Sequence, residues 1–154
     1  MAKQSAGIML YRKRDGVVQV FLVHPGGPYW KNRDRHAWSM PKGLFGEDEA
    51  PREAAKREFY EETGHRVREA LHPLGTHRAS GKTVHAFAAE QDMDTESLDS
   101  NTFTMEWPPN SGREREFPEI DKGRWFGLDD ARERIHKNQA MFLDRLADYL
   151  DIGE

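Results

Sequence analysis

Apolar positions fall in short strand-length runs through the first half of the chain and in helix-spaced stripes toward its end. Residues 5–12 (Ser-Ala-Gly-Ile-Met-Leu-Tyr-Arg) and 17–24 (Val-Val-Gln-Val-Phe-Leu-Val-His) read as two strands, with Asp15-Gly16 as a hairpin signal between them. Residues 25–37 form a loop rich in Gly, Pro, Arg and aromatic residues. Residues 43–64 combine a glycine loop with a helix. Gly43 and Gly46 permit a tight turn, Asp48 is placed to cap the helix, and Pro51 suits its first turn. Ala50, Ala54, Ala55 and Phe59 make a narrow apolar stripe, and Gly64 stands where a helix stop belongs. Residues 70–78 and 82–90 read as a second hairpin turning at Ser80-Gly81. Residues 91–118 are polar and broken by Pro108, Pro109 and Gly112, so they read as irregular. A short strand is expected around residues 124–126 and a helix over 128–136. An amphipathic helix is expected over 139–151, with Phe142, Leu143, Leu146, Ala147 and Leu150 on one side. Strands around one central helix, ending in helices, predict the α+β class, built as an α/β/α sandwich.

Composition narrows this picture. A length of 154 residues suits one domain, 1–154, large enough for a real core. A net charge of −4 supplies no global basic field for nucleic acid. With 10% aromatic residues and several apolar runs, disorder is not expected. The chain has no cysteine, which excludes disulfides, thiol nucleophiles and cysteine zinc sites. No apolar run approaches the roughly 18 residues of a membrane helix, and the N-terminus lacks a signal-peptide pattern. The expectation is a cytoplasmic protein with a small-molecule partner and neither a nucleic-acid nor a membrane partner. The seven histidines lack zinc spacing and are expected on the surface or in the core.

The chemistry concentrates in the 43–65 segment. On a helix advancing about 100° per residue, Glu58 and Glu62 lie about 40° apart, and Glu61 about 60° to the other side of Glu58. Three like charges so close repel one another. A hard divalent cation among them, Mg²⁺ or Mn²⁺, would relieve that repulsion. A solvated, charge-rich helix face is the alternative for an arbitrary glutamate cluster.

The order of residues favours the metal. Gly43, Glu49, Arg57, Glu58, Phe59, Glu61, Glu62 and Gly64 fall at the spacing of the box of the Nudix hydrolase family, which the sequence resembles. Seven fixed residues match by chance on the order of 10⁻⁸ per start position. One position departs: the final, usually aliphatic residue is His65, and Val67 is expected to supply the apolar contact instead. The resemblance implies a sandwich around a mixed β-sheet and hydrolysis of a phosphoanhydride in a nucleoside diphosphate linked to another group. It implies Mg²⁺ (or Mn²⁺) held by Glu58 and Glu62, with Glu61 as ligand or water partner and the Gly43 carbonyl as a further ligand. Arg57 and Glu49 match residues that pair to hold helix and loop together.

The general base is open at this stage. Glu114, Glu116 and Glu119 lie outside the box. Glu119 stands six residues before Trp125, a spacing similar to that of diadenosine-polyphosphate-cleaving members, and is the leading candidate for base and additional metal ligand. Glu116 is next, and Glu61 serves if Glu119 is only a ligand. The entry Trp38-Ser39-Met40-Pro41-Lys42-Gly43 is similar to that of dinucleoside-polyphosphate and diphosphoinositol-polyphosphate members. Lys42 is therefore expected on a substrate phosphate. Trp38 fits either core packing or the pocket wall. Tyr29, Trp30 and Arg35 in the 25–37 loop are expected to bind substrate through stacking and charge. Phe103, Trp107, Arg113 and Arg115 form a comparable group. Dinucleoside polyphosphates lead as substrate, ahead of (d)NTPs and diphosphoinositol polyphosphates. A non-hydrolysing nucleotide sensor is the non-enzyme alternative, disfavoured because every box glutamate is present.

Overall fold

A computed structural model describes residues 3–152. Residues 1–2 and 153–154 of the expected 1–154 domain lie outside the described residues. The first hairpin joins β1 (Lys3–Arg14) to β2 (Val17–Pro25) through Asp15 and Gly16, both at positive φ. β3 (Lys42–Phe45) follows the 26–41 loop, and α1 (Pro51–Thr63) follows β3. The second hairpin is β4 (His72–Ala79) with β5 (Lys82–Glu90). Two further strands, β6 (Thr102–Glu106) and β7 (Glu114–Pro118), precede β8 (Ile120–Gly127), α2 (Leu128–Arg134) and, after a single 3-10 turn, α3 (Ala140–Tyr149).

The main sheet runs β4-β5-β1-β2-β8, with β3 also paired to β1. β1 is parallel to β5 and antiparallel to β2 and β3, which makes the sheet mixed. β1 shares its length between two partners on one side. Residues 11–14 pair with β2, and residues 4–7 pair with β3. That division brings β3, and with it Gly43, into the sheet centre directly before α1.

Both faces of the sheet are covered. Ile8, Leu10, Phe21 and Val23 point to the α1 side, where Ala54, Ala55 and Phe59 meet them. Met9, Val20 and Leu22 point to the other side, against Phe142, Leu143 and Leu146 of α3. This period-two split of two continuous apolar runs is what burial on both faces requires. The chain is thus an α+β sandwich of helices, the layering that the apolar pattern predicts, around a mixed sheet, which the family resemblance implies.

Several local expectations are corrected. Residues 91–118 are not all irregular: β6 and β7 form a separate two-stranded antiparallel sheet. Asp48 does not cap α1. The N-cap is Ala50, without a side-chain cap, and Pro51 opens the helix. Ala50 is exposed, and Thr63 takes a buried place on the helix face. The 139–151 helix begins only at Ala140. Gly64 does stop α1, in the left-handed region at φ 78°, where any side chain would add strain. Val67 packs against the α1-side core.

Trp38 is the largest fully buried side chain. Its ring meets Phe126 edge-on at 5.0 Å, and its Nε1–H donates to Asp34 Oδ1 at 2.8 Å. Trp38→Ala should cost about 3–5 kcal/mol, read from urea unfolding. A cost below about 1 kcal/mol would mean that this layer is not close-packed.

Candidate functional site

The box loop and α1 are locked by one side chain. Arg57 donates from Nε and Nη2 to the two Glu49 oxygens at 2.8 and 2.9 Å, and from Nη2 to the Leu44 carbonyl at 3.3 Å. Its Nη1 donates to Glu58 at 2.7 Å and to Glu61 at 3.1 Å. The Glu49 hydrogen bond, followed by those to Glu61 and Glu58, raises the guanidinium pKa further, and the same Arg57 bond lowers the pKa of Glu49. The cation nearest Glu58 and Glu61 is therefore Arg57, which already offsets part of the repulsion expected among the three glutamates. Among the described residues, no three acidic or histidine side chains converge as a finished metal cage.

Glu58 faces Gly43 so closely that a Cβ on Gly43 would overlap its carboxylate. Only glycine leaves the backbone there open to a carboxylate or to anything the carboxylate holds. Burial raises the Glu58 pKa against the lowering pull of Arg57. Glu62 is more perturbed. Burial first, then the Glu58 charge, push it up to about 8, with Glu119 adding to the rise and Lys42 opposing it. Lys42 in turn is lowered, chiefly by its own burial. A buried acid raised by neighbouring carboxylates gains most from a divalent cation, and oxygen donors suit Mg²⁺ or Mn²⁺. The chemistry of these oxygen donors therefore fits a divalent metal, although Glu58 and Glu61 are bonded to Arg57.

Glu62, Glu119, Lys42 and Trp30 line one cleft of about 250 Å³. Glu119 sits between β7 and β8, its N–H donating to the Asn101 carbonyl at 2.7 Å and its carbonyl accepting from Gly26 N–H at 2.8 Å. Glu116 does not reach this cleft. It lies on β7 and accepts from Thr102 Oγ1 at 2.8 Å. Glu114 lies farther along the same hairpin, opposite Glu106.

Trp38 takes the core position of its two readings. Two expected substrate residues are placed elsewhere. Arg35 is 72% exposed and reaches Glu133 at 3.8 Å, because His36 is tied to the end of α2 and turns the loop that way. Tyr29 is 58% exposed and packs edge-on against Trp107 of the β6–β7 hairpin at 5.3 Å.

Other residues join the site without a sequence signal. His136 and Gln139 line the cleft and also a neighbouring recess of about 340 Å³, which adds His77, Ser80 and Lys82. The two hollows share Lys42, His136 and Gln139. No carboxylate lines the recess, and among the described residues neither Lys42 nor Lys82 has an ion-pair partner. Gln139 is fixed by Met40 N–H donating to its Oε1 and by its own Nε2 donating to Ser39 Oγ, both at 3.0 Å. These residues come from three distant parts of the chain, so no spacing rule could collect them.

The family follows from this fold and box: residues 1–146 match the NUDIX domain model, and the chain belongs to the Nudix family. An RNA pyrophosphohydrolase of Bartonella tribocorum is 42% identical over 65 residues, which cover 35% of this chain and 36% of that protein. The chain thus aligns with about a third of that relative's length. Two solved structures share the fold. A C. elegans Ap4A hydrolase in a binary complex is 21% identical with a TM-score of 0.69, over 97% of this chain and 98% of that one. The NUDIX domain of Shewanella oneidensis NrtR, complexed with ADP ribose, is 15% identical with a TM-score of 0.66, over 97% and 89%.

Proposed function

We propose that this chain is a divalent-metal-dependent pyrophosphohydrolase that cleaves a phosphoanhydride bond of a nucleoside polyphosphate. The observation that carries the reading is the cleft in which Glu62, Glu119 and Lys42 face one another beside Trp30. Glu58, Glu61, Glu62, Glu119 and the Gly43 carbonyl would hold Mg²⁺ or Mn²⁺. The bound metal would neutralise phosphate charge and acidify a water. The chain's own residues do the rest. Arg57 keeps the carboxylates on a fixed loop and helix. Lys42 meets a phosphate as a point charge. Glu119 takes the proton of the attacking water, and Trp30 offers a face to a nucleobase.

The phosphate chain is read as running from the metal over Lys42 into the basic recess at Lys82 and His136. Dinucleoside polyphosphates remain the first candidate, on the Pro-Lys-Gly entry and the Glu119/Trp125 spacing. A second reading, a (d)NTP or diphosphoinositol polyphosphate, gains support because no Phe, Tyr or Trp lines the recess to stack a second base. The cytoplasm is the compartment expected for either.

A substrate panel tests the reading: phosphate and pyrophosphate release from dinucleoside polyphosphates, dNTPs, nucleotide sugars and inositol pyrophosphates, with Mg²⁺ and with excess EDTA. Turnover should require the metal, and full hydrolysis in EDTA would overturn the mechanism. Metal binding must expel the Glu62 proton, which the metal-free chain keeps up to about pH 8. Apparent Mg²⁺ affinity, measured by calorimetry, should therefore rise with pH to about 8 and level off above. A flat profile would remove Glu62 from the ligand set. Lys82→Met should raise KM for polyphosphates about tenfold with kcat retained, the scale of one charged hydrogen bond. An unchanged KM would place the phosphates elsewhere.

A further inference from the structure

His24 lies near the end of β2 and is 1% exposed. A ring so buried needs partners for both nitrogens. Nε2 lies 2.6 Å from the Arg33 carbonyl. A carbonyl oxygen only accepts, so Nε2 carries a hydrogen. Nδ1 lies 3.0 Å from Asp121 Oδ1, within hydrogen-bond distance. The imidazole also packs edge-on to Trp38 at 5.1 Å, which fixes its plane.

Each partner leads to one wall of the cleft. Arg33 closes a turn on Trp30: its N–H donates to the Trp30 carbonyl at 2.9 Å, and its guanidinium sits 5.7 Å from the centre of the Trp30 ring. Asp121 is the extra residue of a β-bulge. His24 pairs with Lys122 and Pro25 with Ile120, so Asp121 has no residue opposite it. A bulge bends its strand and re-aims nearby side chains. Here it follows Glu119 by two residues, at the point where Gly26 N–H holds the Glu119 carbonyl.

We propose that His24 is a positioning residue: a single imidazole braces the Trp30 turn with one nitrogen and the Glu119 bulge with the other, and so fixes the width of the cleft. The proposal rests on the hydrolase reading, because Trp30 and Glu119 are the groups it positions. His24 itself touches neither the cleft nor the reacting atoms. A filler role in the core would need neither polar partner, and an apolar ring would serve as well.

Three variants test the brace. Asp121→Ala removes one arm, His24→Phe removes both, and Asp121→Asn keeps a polar partner whose amide can meet Nδ1 with its oxygen or its N–H. Asp121 is one-third exposed, so its variants should fold. Asp121→Ala should lower kcat about tenfold with KM within about twofold, since small displacements of a catalytic group are costly. Asp121→Asn should recover most of the loss. His24→Phe should lower kcat and raise KM, each about tenfold, and adding Asp121→Ala to it should change little more. Amides of residues 26–37 should exchange faster in His24→Phe. Wild-type kinetics in Asp121→Ala would overturn the proposal, as would an Asp121→Asn variant as impaired as Asp121→Ala. If His24→Phe does not fold, the Asp121 pair decides alone. A wild-type protein that hydrolyses nothing in the panel would defeat the hydrolase reading, and the exchange rates of the 26–37 amides would still test the brace.

Discussion

Glu62→Gln should lower turnover by about 10²–10⁴-fold, the scale of losing a major electrostatic stabiliser, while making the metal-free protein more stable at pH 8. The two effects share one cause. Burial and the Glu58 and Glu119 charges raise the Glu62 pKa in the folded chain to about 8, well above the ordinary carboxylate value. Between those two values the folded state binds more protons than the unfolded state, so stability falls as pH rises from about 4.5 to about 8 and then levels off. Glutamine cannot ionise, so it removes that slope along with the metal's charge partner. Turnover with the wild type's best substrate and thermal melts in EDTA at pH 5 and pH 8 read both effects. Near-normal turnover would refute the metal-site assignment. A variant no more stable than wild type at pH 8 would mean that Glu62 is not held in a repulsive, buried setting.

Glu119→Gln should lower kcat by about 10²–10⁴-fold with KM nearly unchanged, the contribution typical of a general base. The amide keeps the shape and loses the proton acceptor. Loss of a mere substrate contact would raise KM with kcat preserved. Glu116→Gln is the control, and it should be silent because Glu116 lies out on β7, bonded to Thr102. An inactive Glu116→Gln beside a normal Glu119→Gln would mean that the hairpin rearranges before chemistry. Normal rates in both would move the base into the box, to Glu61.

What was legible in the sequence follows from how local each signal is. The two hairpins were readable because Asp15-Gly16 and Ser80-Gly81 adopt positive φ between apolar runs. The α1 helix was readable from Pro51, the Ala54, Ala55 and Phe59 face, and Gly64. The β6–β7 hairpin was not read, although Thr102–Glu106 alternates exposed with half-buried residues, because both strands are short, none of their residues is fully buried, and Pro108, Pro109 and Gly112 break the segment between them. β3 has only four residues, and pairing with β1, not its own pattern, makes it a strand. Within the site, the box residues were legible because they lie on one loop and one helix. Lys82, His136, Gln139 and His24 were not, because only the sheet order brings β2, β5 and the segment after α2 together. Arg35 was misplaced and Trp38 left open for a related reason: an aromatic or basic residue in a loop reads the same whether the chain turns it toward the cleft, the core or α2.

The two-sided burial of β1 and β2 also governs what happens when the protein comes apart. Ala6 to Leu10 and Val20 to Val23 carry no charge, and nearly all of their apolar side chains are sealed inside. In the unfolded chain the same segments are uncharged, strand-forming and free of proline, which is the make-up of a cross-β aggregation core. The Arg12-Lys13-Arg14 run at the end of β1 and the central place of β1 and β2, each with strands on both sides in the folded sheet, are the safeguards against such association. Heating at high protein concentration should therefore end in aggregates, and the useful measure of durability is the rate at which the central strands first open.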